Sequence, residues 1–178
     1  MKTILDHQQI SLSIKRLAHQ LIENHVAMKD TVVIGIQPRG IFLSDRIVKE
    51  IRNEMQGGNF YYGKLDITFY RDDIRKNIHV PNHTDIPFSI EGKNVVLVDD
   101  VLYTGRTIRA ALDALMDYGR PEKVELLSLI DRRYSRQLPI QPNYTGKMID
   151  SIVSQKVKVM WMEKDGRDEV ILLEETEG

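Results

Sequence analysis

Cysteine is absent from this chain of 178 residues. That excludes disulfide staples and thiol chemistry, and it fits a reducing compartment. An excess of either charge is also missing: 25 Lys and Arg stand against 26 Asp and Glu, a formal net charge of −1. No global field therefore draws the chain toward nucleic acid or an anionic membrane. No apolar run reaches the length of a membrane span. Met1 to Asp6 lacks the apolar stretch of a signal peptide, so a cytoplasmic protein without membrane attachment is expected. Internal repeats and low-complexity tracts are lacking too. Hydrophobic residues make up 42% and charged residues 29%, the balance of an ordinary globular protein, and the length suits one domain over residues 1–178 with a single sizeable core.

Hydrophobic periodicity orders what is present. Asp6 and Gln9 have the spacing of a capping box, and Ile10, Ile14, Leu17 and Leu21 mark one face of a helix to about Asn24. Thr31 to Ile36 reads as a buried strand, Ile41 to Met55 as a helix, Gln56 to Asn59 as a turn and Tyr61 to Tyr70 as a strand. Arg71 to Pro87 is long and polar, and a loop of that length in a compact domain is usually functional. Asn94 to Val98, continuously apolar after its first residue, fits a strand buried on both faces of a parallel sheet. Ile108 to Tyr118 follows as a helix and Lys123 to Ile130 as a strand. Asp131 to Lys147 reads as a second irregular segment, and Lys156 to Met162 and Glu169 to Leu173 as closing strands. Alternating strands and helices give an α/β fold, a mainly parallel sheet with helices on both faces.

Two loops carry the chemistry. The strand ending at Val98 runs into Asp99 and Asp100, and then Val101, Leu102, Tyr103, Thr104, Gly105, Arg106 and Thr107 lead into a helix. Free backbone N–H groups and the positive end of the helix dipole meet there, which suits a phosphate monoester. Gly105 lets the backbone come close to an anion. The two aspartates would repel phosphate, so vicinal sugar hydroxyls or a hydrated Mg²⁺ are their natural partners. The second loop, Gln37-Pro38-Arg39-Gly40, repeats the scheme after the first strand, with Arg39 adding a fork suited to phosphate oxygens. Two such loops suggest a ligand with phosphate at both ends.

The string VDDVLYTGRT resembles the phosphoribosyl-pyrophosphate (PRPP) motif of type I phosphoribosyltransferases. Together with DITFYRDD it is similar to one branch, the PyrR family of bifunctional pyrimidine-operon regulators and uracil phosphoribosyltransferases. The resemblance covers nearly the whole chain. It implies the type I phosphoribosyltransferase fold, with a five-stranded core and a small hood made from the terminal segments and about 131–150. It implies Mg²⁺-dependent formation of UMP and pyrophosphate from uracil and PRPP, and a homo-oligomer, dimer or higher. Residues 101–107 then cradle the 5′-phosphate, and Pro38, Arg39 and Gly40 hold the pyrophosphate, with a cis peptide expected at Pro38–Arg39. Asp99, Asp100 and Arg71 are the catalytic set, the two aspartates meeting metal indirectly through PRPP or water, and Arg75 and Lys76 close over the ligand with Arg71. Ile130, Asp131 and Arg132 lie beside the base. Lys15, Arg16, His19 and Lys156 are the candidates for an mRNA leader bound under control of UMP or UTP, although Ser11 and Leu12 stand where RNA-binding relatives often carry arginines. A phosphoribosyltransferase for a purine or another base, or an RNA regulator with vestigial catalysis, are the alternatives.

Overall fold

The computed structural model describes residues 1–72, 80–152 and 154–174. Five strands form one parallel sheet: β2 (Thr31–Ile36), β3 (Tyr61–Leu65), β4 (Asn94–Leu102), β5 (Lys123–Arg133) and β6 (Tyr144–Asp150). Their order is β3-β2-β4-β5-β6. Every residue of β2 is buried, as its run of β-branched side chains requires of a strand covered on both faces. Three helices supply the cover. The apolar stripes of α1 (His7–Asn24) and α2 (Gly40–Glu54) pack on one face through residues such as Leu17, Leu21, Leu43 and Ile47. The stripe of α3 (Arg106–Leu115), with Ile108, Ala111 and Leu115, covers the other.

A second, antiparallel sheet joins the two ends of the chain: β1 (Lys2–Leu5), β8 (Glu169–Glu174) and β7 (Gln155–Met160), in the order β1-β8-β7. A four-residue helix, α4 (Met162–Asp165), connects β7 to β8. Arg46 on α2 holds this connection down. Its Nη2 donates to Glu163 and Asp168, each at 2.8 Å, and its guanidinium lies 4.9 Å from the centre of the buried Trp161 ring.

The topology marks where a ligand goes. From β2 the chain passes through α2 outward to β3, and from β4 it passes through α3 outward to β5. The strand order therefore reverses between β2 and β4, and open α/β sheets bind ligands outside the carboxyl ends of their strands at such a point. The crevice is deepened because β2 and β4 end at different heights: Gly35 pairs with Val98, whereas β4 continues to Leu102, paired with Asp131 of β5.

Four expectations are corrected. The aspartates do not follow the end of β4 but lie within it, since pairing with the longer β5 extends the strand past β2. Residues 61–70 are a strand only to Leu65, after which Thr68–Tyr70 form a 3-10 turn. The segment 131–147 is not irregular throughout, and 131–150 is not a hood insertion as a whole: β5 runs to Arg133 and residues 144–150 are the outer strand β6 of the parallel sheet. The cis peptide is Gln37–Pro38, one bond upstream of Pro38–Arg39.

Candidate active site

The loop after β4 is shaped by its own backbone and by contacts from the 136–138 segment and β5. Gly105 takes φ +93° in the left-handed region as the residue before α3. A side chain there would be strained, and its Cβ would stand 3.3 Å from Ile140 Cδ1. The Thr104 hydroxyl accepts the Arg106 N–H at 3.3 Å, and the Thr104 carbonyl accepts the N–H groups of Gln137 and Leu138 at 2.9 and 3.2 Å. Arg136 donates to the Tyr103 carbonyl at 2.7 Å and to Asp131 at 2.5 Å. Below the loop, the buried Ser128 hydroxyl accepts the Leu102 N–H at 3.1 Å. Residues 101–107 thus wrap a cavity of about 190 Å³ whose walls also include Asp99 and Arg71.

Asp99 and Asp100 are both buried. Burial pushes the Asp99 carboxyl well above the usual carboxylate range, the adjacent Asp100 charge adds to this, and the charge of Arg71 offsets part of it. Burial raises Asp100 as well, against the pull of Arg39. Two carboxyls held this way favour partners that stabilise the ionised form, namely hydroxyl donors or a cation. Arg71 donates to Thr107 Oγ1 at 3.4 Å, and Asp72 beside it is held by Arg106 at 2.9 Å. The chain leaving β3 is therefore tied to the start of α3. Asp73, Arg75 and Lys76 lie outside the described residues.

The loop after β2 has a different character. Gly40 begins α2 against β4, where a Cβ would come within 2.6 Å of the Val98 carbonyl oxygen. Pro38 is exposed. Arg39 Nε lies 3.5 Å from Asp100 Oδ2, and its Nη2 donates to Asp165 Oδ2 at 2.9 Å and to the Val159 carbonyl. One guanidinium joins this loop, the acidic pair and the terminal sheet. Sequence reasoning did not find Asp165, Val159 or Ser128. Ser128 and Val159 lie within strands β5 and β7 and Asp165 ends the short α4, where nothing local marks them, and Asp165 reaches Arg39 across 126 positions.

Residues expected beside the base make specific contacts. Ile130 is fully buried in the core, and Asp131 receives the Arg136 contact above. Arg132 is buried and stacks 3.9 Å from the centre of the Tyr103 ring. It donates to Ser151 Oγ at 2.8 Å and to the Gln155 carbonyl at 2.8 Å. It thereby fastens the 101–107 loop to the segment leading into β7. Just beyond them Tyr134 is exposed and in the left-handed region at φ +66°.

The basic candidates on the outer surface are not alike. Lys15 and Lys156 are exposed, and His19 lies 3.7 Å from Glu54. Arg16 donates to the carbonyls of Thr145 at 3.2 Å and Gly146 at 2.6 Å, so its fork is engaged by β6.

A family model described as "Phosphoribosyl transferase domain" matches residues 1–163. The chain is similar to Bifunctional protein PyrR of Picosynechococcus sp., with 48% identity over 171 residues, 96% of each chain. It is also similar to Bifunctional protein PyrR of Chloroflexus aurantiacus, with 45% identity over 174 residues, 97% of this chain and 94% of that one. Among solved structures, a hypoxanthine phosphoribosyltransferase from Staphylococcus aureus superimposes with a TM-score of 0.71 at 21% identity, covering 95% of this chain and 90% of that one. The hypoxanthine phosphoribosyltransferase of Trypanosoma cruzi gives 0.71 at 15% identity, with 98% and 97% covered. At these identities the structural likeness concerns the fold.

Proposed function

Because the chain belongs to the PyrR family of phosphoribosyltransferases, we propose that its crevice binds PRPP and passes the phosphoribosyl group to uracil, yielding UMP and pyrophosphate. The observation that carries this reading is the placement of two anion loops at the carboxyl ends of β2 and β4, on either side of the point where strand order reverses, with Asp99 and Asp100 between them. Residues 101–107 take the 5′-phosphate, and Arg39 with the start of α2 takes the pyrophosphate, each charge meeting a helix N-terminus.

In the reaction the bond from the anomeric carbon to pyrophosphate breaks and a bond to a uracil ring nitrogen forms, that nitrogen's proton passing to the departing pyrophosphate. Positive charge grows on the sugar ring as the leaving group departs. Asp99 and Asp100 accept hydrogen bonds from the ribose hydroxyls and favour that charge, while Arg39 favours the negative charge gathering on pyrophosphate. Arg71, already at the cavity wall, covers the ligand and helps exclude water, the competing nucleophile. Mg²⁺ fits this donor set, because two adjacent carboxylates are hard oxygen donors and Mg²⁺ is commonly held by one or two of them together with substrate phosphates. When bound, it supplies charge neutralisation to the pyrophosphate. Asp131, on the wall of the neighbouring cavity, borders the base from the β5 side, whereas Ile130 is buried in the core and Arg132 acts by supporting Tyr103.

Asp100→Ala tests the assignment: steady-state uracil phosphoribosylation should fall by at least about 10²–10³, the scale of losing one preorganised electrostatic contact. Near-normal turnover by that variant overturns the reading. A second reading, regulation of pyrimidine genes by uridine-nucleotide-dependent binding to an mRNA leader, is favoured by the name "bifunctional" carried by the relatives. Lys15, His19 and Lys156 are its candidates, whereas Arg16 contributes little while β6 holds it. A gel shift on the cognate leader with and without UMP decides this reading, and no binding at low salt removes it. Sedimentation tests the proposed homo-oligomer.

A further inference from the structure

Asp165 lies in the connection between β7 and β8, yet it meets a residue of the β2 loop. Arg39 Nη2 donates to Asp165 Oδ2 at 2.9 Å, while Arg39 Nε sits 3.5 Å from Asp100 Oδ2. One guanidinium therefore stands between two carboxylates, one from the reacting centre and one from the terminal sheet. The Asp165 end is firmly placed. Its Oδ2 also accepts the backbone N–H of Trp161 at 2.9 Å, and the Trp161 side chain is fully buried beneath Arg46. Arg46 belongs to α2, the helix that Arg39 leads into. Arg39 thus leads into α2 and Asp165 sits on α4, which Arg46 ties to α2, and the pair is partly buried, where an ion pair is screened less than in open water.

The geometry also assigns the donors of the fork. Nη2 is occupied by Asp165 and the Val159 carbonyl, and Nε lies 3.5 Å from Asp100 Oδ2. Among the described residues Nη1 makes no hydrogen bond, and it is the edge left to present to an incoming anion. Without Asp165 the nearest carboxylate left to Arg39 is Asp100. The guanidinium would close onto it, taking Asp100 from the sugar hydroxyls and Arg39 from the pyrophosphate.

We propose that Asp165 is a positioning residue: by holding Arg39 Nη2 it limits the guanidinium to its 3.5 Å approach to Asp100 and leaves Nη1 turned toward the pyrophosphate of the substrate. The proposal rests on the reading of the crevice as a PRPP site and adds a determinant from the far end of the chain. The alternative is an ion pair that only fastens the terminal sheet.

The test compares the full-length wild type with Asp165→Asn and Asp165→Glu. Isothermal titration with pyrophosphate and Mg²⁺ is run beside steady-state kinetics. For Asp165→Asn the pyrophosphate Kd and the KM for PRPP should rise about tenfold, the scale of one charged hydrogen bond, with the KM for uracil unchanged. Asp165→Glu keeps the charge and should recover part of the loss; it also serves as the test variant should Asp165→Asn fail to fold. Wild-type pyrophosphate affinity and PRPP KM in both variants, whatever their melting temperature, overturn the proposal and leave the crevice reading intact. A wild type that binds neither pyrophosphate nor PRPP overturns both.

Discussion

The loops that follow β2 and β4 face the same crevice and are held in different ways. The β4 loop is held by its own backbone and near neighbours: the left-handed Gly105, the Thr104 hydroxyl on the Arg106 N–H, and the 136–138 segment closing on Tyr103 and Thr104. The β2 loop concentrates its charge on Arg39, whose fork is fixed by Val159 and Asp165 from 120 and 126 positions away. The first loop is complete once strand, turn and helix have formed and the 136–138 segment has closed on them. The second is complete only when the terminal sheet has docked on α2. The two loops thus differ in how far along the chain their supports lie, and they are separable by mutation.

The sharpest break of the local loop is Gly105→Val. A β-branched residue at φ +93°, 3.3 Å from Ile140, shifts the backbone proposed to surround the 5′-phosphate. A misplacement of this kind should lower kcat/KM for PRPP on the order of 10². Binding of ribose 5-phosphate, followed by calorimetry, should weaken with it. Unchanged ribose 5-phosphate binding would show that the loop does not hold that phosphate.

Arg46→Met probes the remote dependence and should act through the other end of the ligand. Without Arg46 the connection carrying Asp165 loses its two acidic anchors to α2, Glu163 and Asp168, at a cost of about 1–3 kcal/mol in stability. Pyrophosphate affinity should fall several-fold while ribose 5-phosphate affinity stays near wild type. Equal losses for both ligands would erase the distinction between the loops. The same anchor has a pH signature. Burial opposes ionisation of Asp168, yet hydrogen bonds from Arg46, Met162 N–H and His7 outweigh it and hold the carboxyl below its usual range. A carboxyl lowered in the folded state stabilises above its unfolded value near 3.9, and that contribution fades as pH falls through the folded value. The wild-type advantage over Arg46→Met in melting temperature should therefore shrink in acid.

Asp99→Asn gives the smallest effect, with the opposite sign. Burial and Asp100 raise the Asp99 carboxyl, so ionising it costs folding energy. That cost is absent below the unfolded value near 3.9 and grows until pH passes the folded value. In the ligand-free protein at neutral pH the variant should melt about 2–4 °C higher, equivalent to about 1 kcal/mol in a domain of this size. The gain should vanish toward pH 4. A lower melting temperature at neutral pH would mean that the acidic pair supports the fold rather than the ligand.

The same contrast explains what the sequence made legible. β2 over Thr31–Ile36 and the capped start of α1 at Asp6 and Gln9 are written in adjacent residues, and so is the Gly105 loop. β6 escaped notice because it is an outer strand in which only Tyr144 and Ile149 are buried, too few to set a period. β1 is four residues long and acquires meaning only by pairing with β8 at the opposite end of the chain. Asp100 was recognisable beside Asp99, but the Arg39–Asp165 pair was not, because nothing near Asp165 in sequence points to residue 39.

The central claim, that the crevice between the loops transfers phosphoribosyl to uracil, is tested most directly by incubating the purified protein with PRPP, Mg²⁺ and a panel of free bases. Labelled nucleotide products are resolved for uracil, cytosine, orotate, hypoxanthine, guanine and adenine. The account predicts UMP and pyrophosphate in equal amounts, with uracil turned over ahead of every other base. Transfer to a purine in preference to uracil, or no nucleotide from any base, would contradict it.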